Sequence, residues 1–259
     1  MTILLQIFFF CLGAIVASFV GVVSERLNTG TSWIHGRSRC DSCGAFLSSF
    51  DLLPIVSWLA SMGRARCCSS RVSWRSTVSE AVLGTLYLAS FMQLGVTLAL
   101  AAFLIALAAL LAIVLYDLRH MLVPFEFSVP FVLASLAFAV LSSSIAALES
   151  TLLIAAIIGG AFFLLWLVSK GRAMGLGDTP VAFGLSVLTG SAAFAGLVFS
   201  FWIGAVIGIA LLVVLPSTRR MGVEVPFVPF MAAGFLLAYF TTWSPTTLVG
   251  TLLARFIGA

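Results

Sequence analysis

The sequence predicts an all-α polytopic membrane protein of about eight transmembrane helices with a small cytoplasmic cysteine-containing loop domain. Three observations predict it. Hydrophobic residues make up 62% of the 259 residues and charged residues only 8%, against about a quarter charged in a soluble domain. The apolar residues run in long unbroken stretches, not in the alternating segments of about ten residues that mark a membrane β-barrel. The basic residues fall in clusters separated by 76–118, 120–169 and 173–218. Disordered, coiled-coil and disulfide-scaffold classes are excluded on the same composition.

Each basic-free gap exceeds forty residues. A spanning helix needs about 20, so each gap holds an out-and-back pair. One span precedes the first cluster, roughly 3–23. The pairs are then 78–97 with 98–116, 127–146 with 151–168, and 180–196 with 197–215. A last span covers 227–243, and the tail from Ser244 is ambiguous. All basic clusters then lie on one side, the cytoplasm by the positive-inside rule, with the N-terminus outside. The first apolar run has no basic residue before it, and Glu25 and Arg26 follow it. It reads as a retained helix rather than a signal peptide. The expected organisation is a first helix over 1–25, a cysteine loop domain over 26–76 and a transmembrane domain over 77–259.

The loop holds Cys40, Cys43, Cys67 and Cys68. Cys40-x-x-Cys43, with Gly44 to turn the chain, resembles half of a zinc knuckle, and four thiolates surround Zn²⁺ tetrahedrally. A regular second knuckle would place a cysteine at position 65, where Ala65 stands. His35 is a further candidate ligand. The alternative is a loop of reduced, unliganded cysteines, since a reducing cytoplasm argues against structural disulfides. Cys11, in the first span, reads as a packing residue. The arginines and aromatics of the loop suit anionic lipid headgroups better than nucleic acid.

Nine acids are few enough to weigh singly. Asp117 ends an apolar run, and Asp178 follows Gly175-Leu176-Gly177. Both fall at the cytoplasmic membrane face, where an ionisable group is a functional candidate. The glycines permit positive φ or close backbone approach. Two carboxylates can divide general-base and general-acid work on a peptide bond without a metal. The plainer alternative pairs each acid with Arg119 or Arg172 to fix topology. No Gly-x-Ser-x-Gly or His-Glu-x-x-His occurs, and His120 reads as a solvated residue at a helix end.

Further short motifs occur in order. They are Ser18-Phe19-x-x-Val22-Val23-x-x-Arg26-Leu27, Arg39-Cys40-x-x-Cys43-Gly44, Leu53-Pro54-x-x-Ser57-Trp58-Leu59, Gly63-Arg64 and Ser73-Trp74-Arg75. Glu80, Asp117-Leu118-Arg119-His120, Val123-Pro124 and Gly175-Leu176-Gly177-Asp178 follow, and Val225-Pro226-Phe227-Val228-Pro229-Phe230 closes the series. Together they resemble the prepilin peptidases, or type IV leader peptidases, across nearly the whole chain.

The resemblance implies an aspartic protease of the bacterial inner membrane. It would remove the leader of prepilins or pseudopilins after glycine on the cytoplasmic side. Asp117 and Asp178 match the catalytic pair. Many members then N-methylate the new N-terminus with S-adenosylmethionine, an activity associated with the cysteine loop. This chain departs from the pattern at Ala65, at Thr179-Pro180 where a residue and lysine usually follow, and at Phe125. Asp41 and Asp51 are candidates to meet the basic leader. The competing readings are a proton-coupled transporter, a presenilin-like protease and a non-catalytic relative acting in pilus or secretion assembly.

Overall fold

The computed structural model describes residues 2–29, 38–40, 42–214 and 225–249. His35, Asp41 and the arginines at 219, 220 and 255 lie outside the described residues. Among those described, the structure is all-helical, with two isolated β-bridges in place of strands. Contacts divide the chain into two units, Met1–Leu100 and Ala101–Ala259.

In the first unit, helix α1 (Thr2–Arg26) packs along α3 (Trp74–Leu94), with the short α2 (Val56–Ala60) in the loop between them. The α1–α3 crossing is set by two glycines. A Cβ on Gly13 would stand 2.7 Å from the Leu83 carbonyl oxygen, and one on Gly84 would stand 2.9 Å from that of Phe10. Only bare backbone permits that approach, the usual device of membrane helix pairs. Phe9 and Phe91 stack nearby, with ring centroids 4.6 Å apart.

The surface of α1 is inverted relative to a soluble helix. Its buried positions are mostly small, Gly13, Ala14 and Ala17 among them, while Ile3, Leu4, Phe8, Ile15 and Phe19 are exposed. Such a face suits lipid rather than water. Cys11 belongs to it: the thiol expected in packing is exposed, because the buried stripe runs through Phe9, Gly13, Ala17 and Val20 instead.

In the second unit, α4 (Leu98–His120) is followed by α5 (Phe125–Ser142), α6 (Ile145–Ser169), α7 (Asp178–Thr189), α8 (Ala193–Val214) and α9 (Val228–Thr241). Helix α7 is the hub, packing on α5, α6, α8 and α9, and eight of its twelve residues are buried. Phe103 of α4 joins α5 and α9 through Phe138 and Tyr239, at centroid distances of 4.8 and 5.1 Å.

Among the described residues, five helical stretches are long and apolar enough to cross a membrane: α1, α4, α5, α6 and the continuous run 178–214. The remaining expected spans are also helical but differ in kind. Helix α3 opens on Arg75, Ser76, Thr77 and Ser79 and buries Glu80, and α9 has 14 residues. The segment expected as one helix over 180–196 instead ends at Thr189, where Gly190 turns at φ +56° into a short 3₁₀ stretch. At 1.5 Å per residue, α7 reaches about 18 Å, well short of the hydrocarbon thickness.

Candidate active site and cysteine cluster

Asp117 sits in the last turn of α4, and Asp178 is the first residue of α7. The fold brings these two helix ends together, close enough for the carboxylates to interact electrostatically. Asp117 is only 5% exposed, and Asp178 is half-buried. The Val228 N–H donates to the Asp117 carboxylate. Val228 opens α9, so this is one of the N–H groups that a helix start leaves unpaired. Asp178 is held by its own turn: the Gly175 N–H donates to its carboxylate, and its own N–H donates to the Gly175 carbonyl at 3.3 Å.

The two glycines act differently from one another. Neither adopts positive φ; Gly177 has φ −63° as the cap of α7. Close approach is what Gly177 provides, since a Cβ there would stand 2.6 Å from the Val123 Cβ. Gly175 has room, its would-be Cβ lying 3.7 Å from Asp178 Oδ2.

Among the described residues, two buried side-chain oxygens lack a hydrogen-bond partner, Asp117 Oδ2 and Thr179 Oγ1. Buried polar atoms are almost always paired, so the two stand out. Thr179 is the residue that sequence reasoning saw only as a departure from the family pattern. Val228 it saw only as part of a motif, because a backbone donor leaves no trace in residue type. His120 is exposed, as expected, with its ring 4.4 Å from that of Tyr116. Beside Asp178, Val132 of α5, Gly160 and Phe163 of α6, and Thr179 and Pro180 of α7 line an apolar groove of about 380 Å³.

The four loop cysteines converge. All four sulfurs lie within 4.8 Å of one another, with Cys40–Cys68 at 3.7 Å, Cys43–Cys67 at 3.3 Å and Cys67–Cys68 at 3.8 Å. A tetrahedron of thiolates about 2.3 Å from Zn²⁺ has edges of about 3.8 Å, so the cluster fits that ion. Backbone N–H groups of Cys43 and Ser42 hold the Cys40 thiol down to about 6. The thiols of Cys43 and Cys40 push Cys67 up to about 12. Four sulfurs this close cannot all ionise without a cation among them.

Asp51 is engaged locally. It accepts from the Ser48 hydroxyl at 2.6 Å and the Ser48 N–H at 3.0 Å, and pairs with Arg66 at 3.6 Å. These partners, Ser48 foremost, hold its carboxyl below the usual range. Glu80 is buried and accepts from the Ile55 N–H at 2.8 Å and from the Ser18 hydroxyl. It thus anchors the loop to α3 at a residue with φ +61°.

Comparison with known proteins finds relatives over most of the chain. The profile described as Bacterial Peptidase A24 N-terminal domain matches residues 11–94, and that of the Type IV leader peptidase family matches residues 104–213. A Myxococcus xanthus protein named prepilin leader peptidase/N-methyltransferase is 33% identical over 85% of this chain and 66% of its own length. A Bacillus subtilis protein of the same name is 30% identical over 89% of this chain and 92% of its own length. One from Dickeya chrysanthemi is 28% identical over 90% and 93%. No solved structure gives a significant match. On the two matched profiles and the near full-length similarity to the Bacillus subtilis protein, this chain belongs to the type IV leader peptidase family and is a peptidase.

Proposed function

We propose that the chain is an aspartic endopeptidase that removes the leader peptide of type IV prepilins or pseudopilins, cutting after glycine at the cytoplasmic membrane face. The observation that carries this is the meeting of Asp117 and Asp178 at two helix ends, with one buried Asp117 oxygen left without a partner. One carboxylate takes a proton from the attacking water while the other, protonated, polarises the scissile carbonyl and then protonates the leaving nitrogen. Arg119, Lys170 and Arg172 lie near the two aspartates in sequence, which supports placing the site on the positive, cytoplasmic side. Eight spans with the N-terminus outside follow from the same charge pattern, and a bacterial inner membrane from the family resemblance.

The apolar groove is lined by Thr179 and Pro180, the two residues that follow Asp178, and the substrate's apolar helix is its occupant in this reading. That places the scissile bond, between helix and leader, against Asp178. Gly160 supports it, since nothing lies within 4 Å of the position its Cβ would take, leaving room for a second helix to approach.

The names of the relatives support a second step, S-adenosylmethionine-dependent methylation of the new N-terminus. A structural zinc held by Cys40, Cys43, Cys67 and Cys68 would order the loop; bound there, it supplies folding energy rather than reaction chemistry. The test is mass spectrometry of a prepilin incubated with the purified protein, its Asp117→Asn variant or its Asp178→Asn variant. Cleavage should fall by at least about 10²-fold in either variant. Turnover within a few-fold of the parent by either one would overturn the paired mechanism. Adding S-adenosylmethionine reads the methyl group on the same product.

A further inference from the structure

The loop contains two turns of the same construction. In the first, the Gly44 N–H donates to the Cys40 carbonyl at 2.8 Å, the Cys40 N–H donates to the Ala45 carbonyl at 2.8 Å, and Arg39 bridges Phe46. In the second, the Ser69 N–H donates to the Ala65 carbonyl at 2.7 Å, the Ala65 N–H donates to the Ser70 carbonyl at 2.8 Å, and Arg64 bridges Arg71. Gly44 and Ser69 both take left-handed backbone, at φ +71° and +56°. A shift of 25 positions carries Arg39 onto Arg64, Cys40 onto Ala65, Cys43 onto Cys68 and Gly44 onto Ser69.

The equivalence gives each cysteine a place. Cys40, Cys43 and Cys68 occupy the ligand positions of the two turns. The fourth position is Ala65, which has no sulfur. Cys67 stands where the first turn has Ser42, a position that carries no ligand there. Its sulfur nevertheless lies 3.3 Å from Cys43 and 3.8 Å from Cys68, among the other three.

We propose that the fourth corner of the metal site has moved by two residues, so that Cys67 supplies the ligand that position 65 would otherwise hold. The inference rests on the reading that the four thiols bind zinc. It has a consequence for strength. The Cys40 sulfur receives backbone N–H bonds from Ser42 and Cys43. By the same shift the matching N–H groups are those of Cys67 and Cys68, and the residue matching Cys40 is Ala65, which has no sulfur to receive them. Cys67 thus lacks the backbone support that Cys40 has, and a cysteine returned to position 65 would take it up.

The experiment uses the full chain, purified under reductant, and compares wild type with Cys67→Ser and with the double variant Ala65→Cys/Cys67→Ser. Zinc is counted by mass spectrometry, affinity is measured against a chromophoric chelator, and Co²⁺ is substituted to read the thiolate charge-transfer band. Wild type should bind one metal per chain with a four-thiolate spectrum. Cys67→Ser should bind at least tenfold more weakly with a three-thiolate spectrum. The double variant should regain the four-thiolate spectrum and bind at least as tightly as wild type. Unchanged affinity and spectrum in Cys67→Ser would overturn the assignment of Cys67. A double variant that keeps its helicity but stays weak would overturn the equivalence of positions 40 and 65. Wild type without metal would overturn the zinc reading itself, while leaving the cleavage test above untouched.

Discussion

Replacing Gly177 by alanine drives a methyl group into Val123. The added carbon would stand 2.6 Å from the Val123 Cβ and 3.3 Å from its Cγ2 and carbonyl oxygen. Carbon atoms in contact sit at about 3.5 Å or more, so the start of α7 must retreat by roughly 1 Å. The backbone itself raises no objection, since φ −63° suits alanine; the effect is one of space alone. Overpacking of this kind costs about 1–3 kcal/mol. Asp178 is the next residue, and a displacement of about 1 Å at a reacting group lowers rate by about 10²-fold. Gly177→Ala should therefore cleave a prepilin about a hundredfold more slowly while keeping its helicity and membrane insertion. Val123→Gly in the same chain removes the carbon that is struck, and should recover most of the loss. Cleavage by Gly177→Ala within threefold of wild type would refute the claim that this contact sets the spacing of the two carboxylates. Failure of the rescue in a folded double variant would locate the damage elsewhere.

Other perturbations test the remaining parts. Gly160→Leu fills open space, so stability should hold while cleavage of a membrane-embedded prepilin drops by at least tenfold; unchanged turnover would remove the groove from substrate binding. Glu80→Leu deprives the Ile55 N–H of its acceptor and should loosen the loop by about 1–3 kcal/mol, read as faster proteolysis between residues 48 and 72, with Glu80→Gln much milder. Ile55→Gly, relieving a β-branched residue at φ +61°, should stabilise the same loop by about 1 kcal/mol. Asp51 has a lowered folded-state pKa, so its contribution is present above the unfolded value near 4 and is lost as the pH falls through the folded value. Acid loosening of the loop, followed by Trp58 fluorescence, should lose that component in Asp51→Asn.

The helical segments were legible because charge is scarce: where basic residues vanish for more than forty positions, little but paired helices fits. The break after Thr189 was less legible, although Gly190 and Ser191 stood in the sequence, since apolar residues continue on both sides and hydropathy alone runs through it. The aspartates could be singled out for the same reason as the spans, two acids among nine at helix ends. Their supports could not. The Val228 N–H and the Gly175 N–H belong to the backbone, and the Val123 contact joins residues far apart in the chain. The gap at Ala65 was visible in spacing, but the place of Cys67 needed the hydrogen bonds of both turns. Glu80 stood in a motif, yet its partner is a backbone N–H on a residue of unusual conformation, which residue type does not disclose.

The donor that holds Asp117 is written in the backbone of α9, and that changes how the site can drift. A side-chain donor disappears with one codon change. The Val228 N–H is supplied by every amino acid except proline, so substitution at 228 alters volume in a buried spot but leaves the donor in place. Losing it requires moving the start of the helix, and Pro229, which favours the first helical turn, holds that start. The orientation of one carboxylate of the proposed pair is thereby insulated from most point mutations, while that of its partner, resting on the missing side chain of Gly177, tolerates almost none.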